Sequence, residues 1–129
     1  MSKIPDDLLY TEDHEYVEKT DDPNIVRVGI TDYAQGELGD VVYVDLPKAG
    51  TSFKRGDTFG TIEAVKAVSD LLCPMAGTVA EVNAALEGDP ALVNRDPYGG
   101  GWMITLRIKQ SADFDALLGS AEYQKHTGG

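Results

Sequence analysis

Cysteine and histidine are scarce in this chain of 129 residues, and their scarcity removes several chemistries at once. A single cysteine, Cys73, has no partner for an internal disulfide. With only His14 and His126 beside it, no spacing builds a zinc site. His14-Glu15 resembles the start of a zinc-protease motif, but Glu18 stands where the second histidine belongs. Basic residues are also few: 11 against 22 acidic ones, a net charge of −11. That balance repels phosphate backbones and anionic lipid and favours partners with basic surfaces, so nucleic acid is not an expected partner. No apolar run approaches the roughly 20 residues that span a bilayer, and no membrane association is expected. The start, MSKIPDDLLY, lacks the basic and apolar zones of a secretion signal and the Arg-rich, acid-poor character of a transit peptide. A cytoplasmic chain is expected, or a mature form already processed.

What remains is an ordinary globular balance, 42% apolar and 26% charged, on a length that suits one compact domain over residues 1–129. The acids are scattered through periodic segments, as on a solvated face. Short β-type runs recur between turn signals: 24–30, 40–46, 58–65, 67–73, 77–83 and 101–108. Strands this short and regular predict an all-β sandwich or barrel. In DVVYVDL, two-residue alternation sets Val42, Val44 and Leu46 on one face and Val41, Tyr43 and Asp45 on the other, one of them facing the core. Gly39-Asp40, Gly56-Asp57 and Gly88-Asp89 mark corners, as do Pro47, Pro74, Pro90 and Pro97. Ala49-Gly50-Thr51 recurs as Ala76-Gly77-Thr78, which predicts two similar halves facing one another. Helix is minor. Thr31 is placed to cap a short turn that ends at Gly39, and SADFDALLGS and AEYQKH read as two short C-terminal helices before a frayed Thr127-Gly128-Gly129.

Lys66 is the position that ordinary packing does not explain. The runs on either side of it are strand-like and their join is too short for a crossover, which predicts a hairpin with the lysine at its turn. Yet Val65-Lys66-Ala67 contains none of the Gly, Asn or Asp that usually relieve a tight turn. A surface lysine that discourages edge pairing is the plain alternative. A Schiff-base lysine would need a desolvated pocket, the opposite of a projecting turn. A lysine presented to another protein as an acceptor must protrude on a rigid hairpin with small flanks, and this pattern meets those demands. Cys73, before Pro74 at a strand end, reads as a buried packing residue, and Trp102 and Met103 read as core.

Glu63-Ala64-Val65-Lys66-Ala67, continuing through Ser69-Asp70, resembles the lipoyl-attachment signature of the H protein of the glycine cleavage system. The likeness extends along nearly the whole chain. HEY at 14–16 is similar to the family's His-Glu-Trp, and GITDYAQGELGDVVYVDLP at 29–47 resembles its second segment. CPMAGTVAEVN at 73–83 resembles the strand after the lysine, and VNRDPYGGGWM at 93–103 its Asn-x-x-Pro-Tyr and Gly-Trp element. Tyr16 replaces the usual Trp, Asp13 stands where Ser is common, and Ala64 where the family often has Ser. Biotin carriers usually set their lysine between methionines; Val65 and Ala67 favour lipoate.

The resemblance implies a mainly β, barrel-sandwich hybrid of the lipoyl/biotinyl-carrier type, with a core over about 14–109 and a C-terminal helical segment over about 111–126. It implies lipoate in amide linkage on Lys66 and a carrier, not an enzyme. The carrier would take an aminomethyl group from the pyridoxal-phosphate glycine decarboxylase (P protein) to the folate-dependent aminomethyltransferase (T protein). Dihydrolipoamide dehydrogenase (L protein) and a lipoate-attaching enzyme complete the expected partners. Asp70, four residues past Lys66, and Glu15, from the His-Glu element, are expected to shelter the loaded arm, because carboxylates suit an ammonium. Glu63 is expected to be read by the attaching enzyme. Two alternatives stay open: an H-like protein that relays lipoate to other lipoyl domains, and a stand-alone enzyme using Lys66 or Cys73.

Overall fold

The structure, a computed structural model, describes residues 3–109 and 111–128. Two antiparallel sheets face each other. The larger contains β1 (Leu9–Tyr10), β2 (Glu15–Lys19), β3 (Ile25–Ile30), β5 (Ser52–Phe53), β8 (Gly77–Val82) and β9 (Ile104–Ile108), in the spatial order β1-β2-β3-β9-β8-β5. The smaller contains β4 (Val41–Asp45), β6 (Thr58–Ala64) and β7 (Val68–Leu72), ordered β4-β6-β7. This is the expected barrel-sandwich architecture. The six predicted runs appear as β3, β4, β6, β7, β8 and β9. The strands β1, β2 and β5 add to them. β1 and β5 are only two residues long, and in β2 the neighbours Glu15, Tyr16 and Val17 are all buried, so no alternation announces it.

The strict alternation expected in DVVYVDL does not hold. A bulge between Val41 and Tyr43 shifts the pairing with β6, and the buried residues are Val41 and Val44, three apart. One extra residue in a bulge rotates the side chains after it to the other face, so Val42 and Tyr43 both reach solvent. The repeated Ala-Gly-Thr pieces do meet: Ser52 pairs with Thr78 and Phe53 with Gly77, and Gly50 N–H donates to Val79 O at 2.7 Å.

Between the sheets, Val28, Ile62, Leu71, Met75, Val79, Met103, Ile104 and Leu106 form a continuous dry core with their neighbours. Each such side chain contributes about 1.5–3 kcal/mol by leaving water. Met103 sits there as expected, whereas Trp102 is half-buried with the Arg27 guanidinium over its ring, 5.5 Å from the centroid. A second cluster unites Leu8, Tyr10, Tyr16 and Tyr123. Tyr16, where a Trp is usual, fills its place against Gly29, where a Cβ would lie 2.7 Å from the phenol oxygen, and donates its hydroxyl to Pro97 O at 2.6 Å.

Four short helices complete the described residues. α1 (Asp32–Leu38) is capped by Thr31, whose hydroxyl accepts from Ala34 N–H, and stops at Gly39 as predicted. α2 (Ala85–Gly88) and α3 (Leu92–Arg95) are single turns too brief to show a helical period. A 3-10 turn (Ser111–Ala116) precedes α4 (Ser120–Thr127). Thr127 ends this helix instead of fraying, and Gly128 caps it in the left-handed conformation, while Gly129 lies outside the described residues. α4 is anchored by Tyr123, stacked on Tyr10 at 4.6 Å, and by the paired backbones of Tyr10 and Leu118. Among the described residues no helix is long and apolar enough to cross a membrane.

Candidate functional site

β6 and β7 pair from Thr58–Leu72 up to Glu63–Val68, and Ala64 N–H donates to Ala67 O at 2.7 Å. Val65 and Lys66 alone form the turn. Neither has a positive φ, so the primed turns that demand Gly or Asn are not used. The tip is instead tied sideways: Val65 N–H donates to Asp40 O at 3.0 Å, at the start of β4. Ala64 is buried beneath it, and Lys66 is exposed between Val65 and Val68, which are 75% and 68% exposed. A lysine so placed is open to a macromolecular partner. Its stem lies across Gly39, where a Cβ would stand 3.3 Å from Lys66 Cε.

Beside the hairpin runs a groove of about 280 Å³, walled by α1, β7 and the segment entering β2. Asp70 and Glu15 both line it, so the structure brings these two predicted residues together. They differ in character. Asp70 is exposed on the edge strand β7, whereas Glu15 is 3% exposed. Thr11 Oγ1 donates to Glu15 Oε1 at 2.8 Å, and Leu72 N–H approaches Oε2 at 3.4 Å. Burial outweighs these bonds and pushes the Glu15 carboxyl up to about 8, so it is mostly protonated at neutral pH. Glu63 does not join the groove. It projects from the opposite face of β6, in a row with Tyr43 and Val68.

His14, at the groove's rim, is the one non-glycine residue with positive φ among those described, at 70°. Such a backbone persists only when its surroundings hold it. Here Thr31 N–H donates to His14 O at 3.0 Å, and His14 Nδ1 meets Tyr123 Oη at 2.8 Å, which in turn meets Thr31 Oγ1 at 2.7 Å. Burial first, then the neighbouring His126, holds the His14 imidazole below the usual histidine range. Cys73 is 2% exposed and bonded to Met75 O, and burial pushes its thiol up to about 11, which leaves it inert as a nucleophile. Among the described residues no cluster of His, Cys, Asp and Glu could hold a metal ion.

This geometry has close counterparts. The family model described as Glycine cleavage H-protein matches residues 8–128. The chain belongs to the glycine cleavage H-protein family. A glycine cleavage system H protein of Opitutus terrae is 50% identical over 128 residues, 99% of this chain and 100% of that one. One from Mycobacterium tuberculosis is 54% identical over 117 residues, 91% of this chain and 86% of that one. The crystal structure of a glycine cleavage system H protein from Mycobacterium marinum superposes with a TM-score of 0.85 at 39% identity, covering 97% of this chain and 99% of that one. The H-protein family is a lipoate-carrying one, and its members are carrier components of glycine cleavage.

Within this H-protein fold, the sequence pattern did not single out Thr11, Thr31 and Tyr123 as supports of the groove. Thr11 and Tyr123 come from segments remote from the lysine, and only the pairing of β1 with β2 and the docking of α4 bring them near.

Proposed function

We propose that Lys66 is the attachment point for lipoate and that the loaded arm carries an aminomethyl group from the glycine decarboxylase to the aminomethyltransferase of glycine cleavage. The exposed lysine on a two-residue hairpin, with a groove opening beside it, is the observation that carries this reading. The residues present fit the group: the amine is accessible for amide formation, and the groove offers an apolar floor at Ile30, Ile62 and Leu71 with polar walls. Lipoate would supply there the redox-active disulfide that takes up and later yields the one-carbon amine.

The remaining work falls to the chain itself. Asp70 at the mouth attracts a cationic terminus toward the groove. Glu15 holds its proton until a positive charge arrives beside it, then releases it to solvent through the open groove and becomes the carboxylate partner of that charge. His14, kept neutral, offers no competing positive charge. Glu63, with Tyr43 and Val68, presents a separate face that the attaching enzyme reads. Dihydrolipoamide dehydrogenase is the partner that restores the disulfide. The stand-alone enzyme is disfavoured by the inert Cys73 thiol and by the open position of Lys66.

Intact mass and peptide mapping after expression in lipoate-replete cells with an active ligase test the attachment: one lipoyl adduct on Lys66 is expected. Glycine–bicarbonate exchange with the decarboxylase and labelled bicarbonate tests the carrier role. An adduct on a different lysine, or a lipoylated protein that supports no exchange, would refute it.

A further inference from the structure

We propose that Asn94 is the positioning residue for the Lys66 tip, holding the short segment on which the lysine stem rests. The segment is Gly39-Asp40-Val41. One side-chain amide grips both of its ends: Asn94 Nδ2 donates to Gly39 O at 2.9 Å, and Val41 N–H donates to Asn94 Oδ1 at 2.9 Å. Backbone groups alternate along an extended chain, so the middle carbonyl points the other way, and Asp40 O receives the N–H of Val65, the residue just before Lys66. Gly39, at the first gripped end, lies directly under the lysine stem.

The sheet order explains why a side chain is needed. β4 is an edge strand with β6 on one side only, and an unpaired edge leaves its N–H and C=O groups without ladder partners. Asn94 stands in for the missing neighbour at one register position, offering a donor and an acceptor as a peptide unit would. Its second amide hydrogen goes to Gln35 Oε1 at 3.0 Å, which ties in α1. The footing is firm, since Val93, the residue before it in α3, is completely buried. Aspartate at this position would lack the donors, and glutamine would be one methylene too long.

Gly39 supplies the other half of the device. Its φ of 80° and ψ of −158° belong to a region open essentially to glycine alone. Its bare Cα lets the stem lie flat across the end of α1. Asn94 fixes Gly39 and Val41, these fix Asp40, and Asp40 fixes the peptide that carries the lysine. The orientation of the Lys66 amine toward an enzyme is thereby set by a residue 28 positions further along the chain, since 94 − 66 = 28.

The inference rests on Lys66 being the acceptor, and its test separates the two. Full-length wild type, Asn94→Ala, Asn94→Asp and Gln35→Ala are compared at a temperature where circular dichroism shows each to be folded. Lipoylation by a lipoate–protein ligase with ATP and lipoate gives kcat and KM, and amide hydrogen exchange is followed at Val41 and Val65. Misorientation of a reacting group acts on the chemical step, so Asn94→Ala should lower kcat by about tenfold and leave KM within about twofold. Exchange at Val65 should accelerate by about tenfold. Asn94→Asp keeps the bond from Val41 and should fall between, and it carries the test if the alanine variant does not fold. Gln35→Ala leaves both gripped ends intact and should behave as wild type. Wild-type kcat and wild-type exchange in a folded Asn94 variant overturn the proposal. If lipoate proves to sit elsewhere, the attachment reading fails on the wild type, and unchanged exchange at Val65 would overturn the clamp independently.

Discussion

Replacing Glu15 with glutamine should change the pH dependence of stability in a calculable way. The carboxyl titrates near 4.5 in an unfolded chain and near 8 in the folded one. Below about pH 4.5 both states hold the proton, and burial of the neutral acid carries no ionic penalty. Between those values the unfolded chain has released its proton while the folded chain retains it, so stability declines as pH rises, until above about 8 the loss is complete. At about 1.4 kcal/mol per pH unit the full loss approaches 5 kcal/mol, and relaxation with water entering from the groove reduces it to a few kcal/mol. Glu15→Gln keeps the acceptor for Thr11 and gives up only the long contact with Leu72 N–H. Urea midpoints at pH 5, 7 and 9 check this. The two proteins should lie within about 1 kcal/mol at pH 5, the price of one weak hydrogen bond, and the variant should be the more stable by a few kcal/mol at pH 9. Parallel profiles would refute the assignment of a buried, neutral Glu15.

Lys66→Ala should unfold cooperatively within about ±0.5 kcal/mol of wild type and take up no lipoate; Lys66→Arg should be equally inert, because a guanidinium stays protonated. Asp70→Asn should accept lipoate normally but release formaldehyde and ammonia faster from the loaded form, measured at neutral pH without partner enzymes; decay at the wild-type rate would remove Asp70 from the shelter. Tyr16→Phe strands Pro97 O in a buried site and should cost about 1–3 kcal/mol by urea denaturation. Cys73 should resist alkylation in the native protein and react readily in urea.

The parts of the fold that the sequence announces are those with a local cause. Short apolar runs between turn signals predict β3, β6 and β8, and Thr31 and Gly39 bracket α1 because a capping hydroxyl and a glycine with positive φ leave residue-type signatures. The bulge in β4 leaves none, since Val41, Val42, Tyr43 and Val44 are all acceptable strand residues and the pairing partner decides which turn inward. The site divides in the same way. Lys66 stands out because its turn lacks turn chemistry. The groove does not, because its walls come from β2, α1 and β7, and its buried acid owes its character to depth, which no spacing records. Asn94 is visible only as part of a motif; what it holds depends on where β4 finds an open edge.

The bonds that hold His14 in place also set an order of assembly. The Lys66 hairpin closes through contacts a few residues apart, whereas His14 reaches Tyr123 across 109 positions and Thr31 reaches it across 92. Distant contacts close late because more chain entropy must be surrendered first. During synthesis the tyrosine reaches the fold only after residue 123 has emerged, well after Lys66 and its hairpin. In the role proposed for Lys66, the lysine would be on display to an attaching enzyme before the groove's rim is finished, and a chain that stops short of α4 would present an acceptor with an incomplete berth for its cargo.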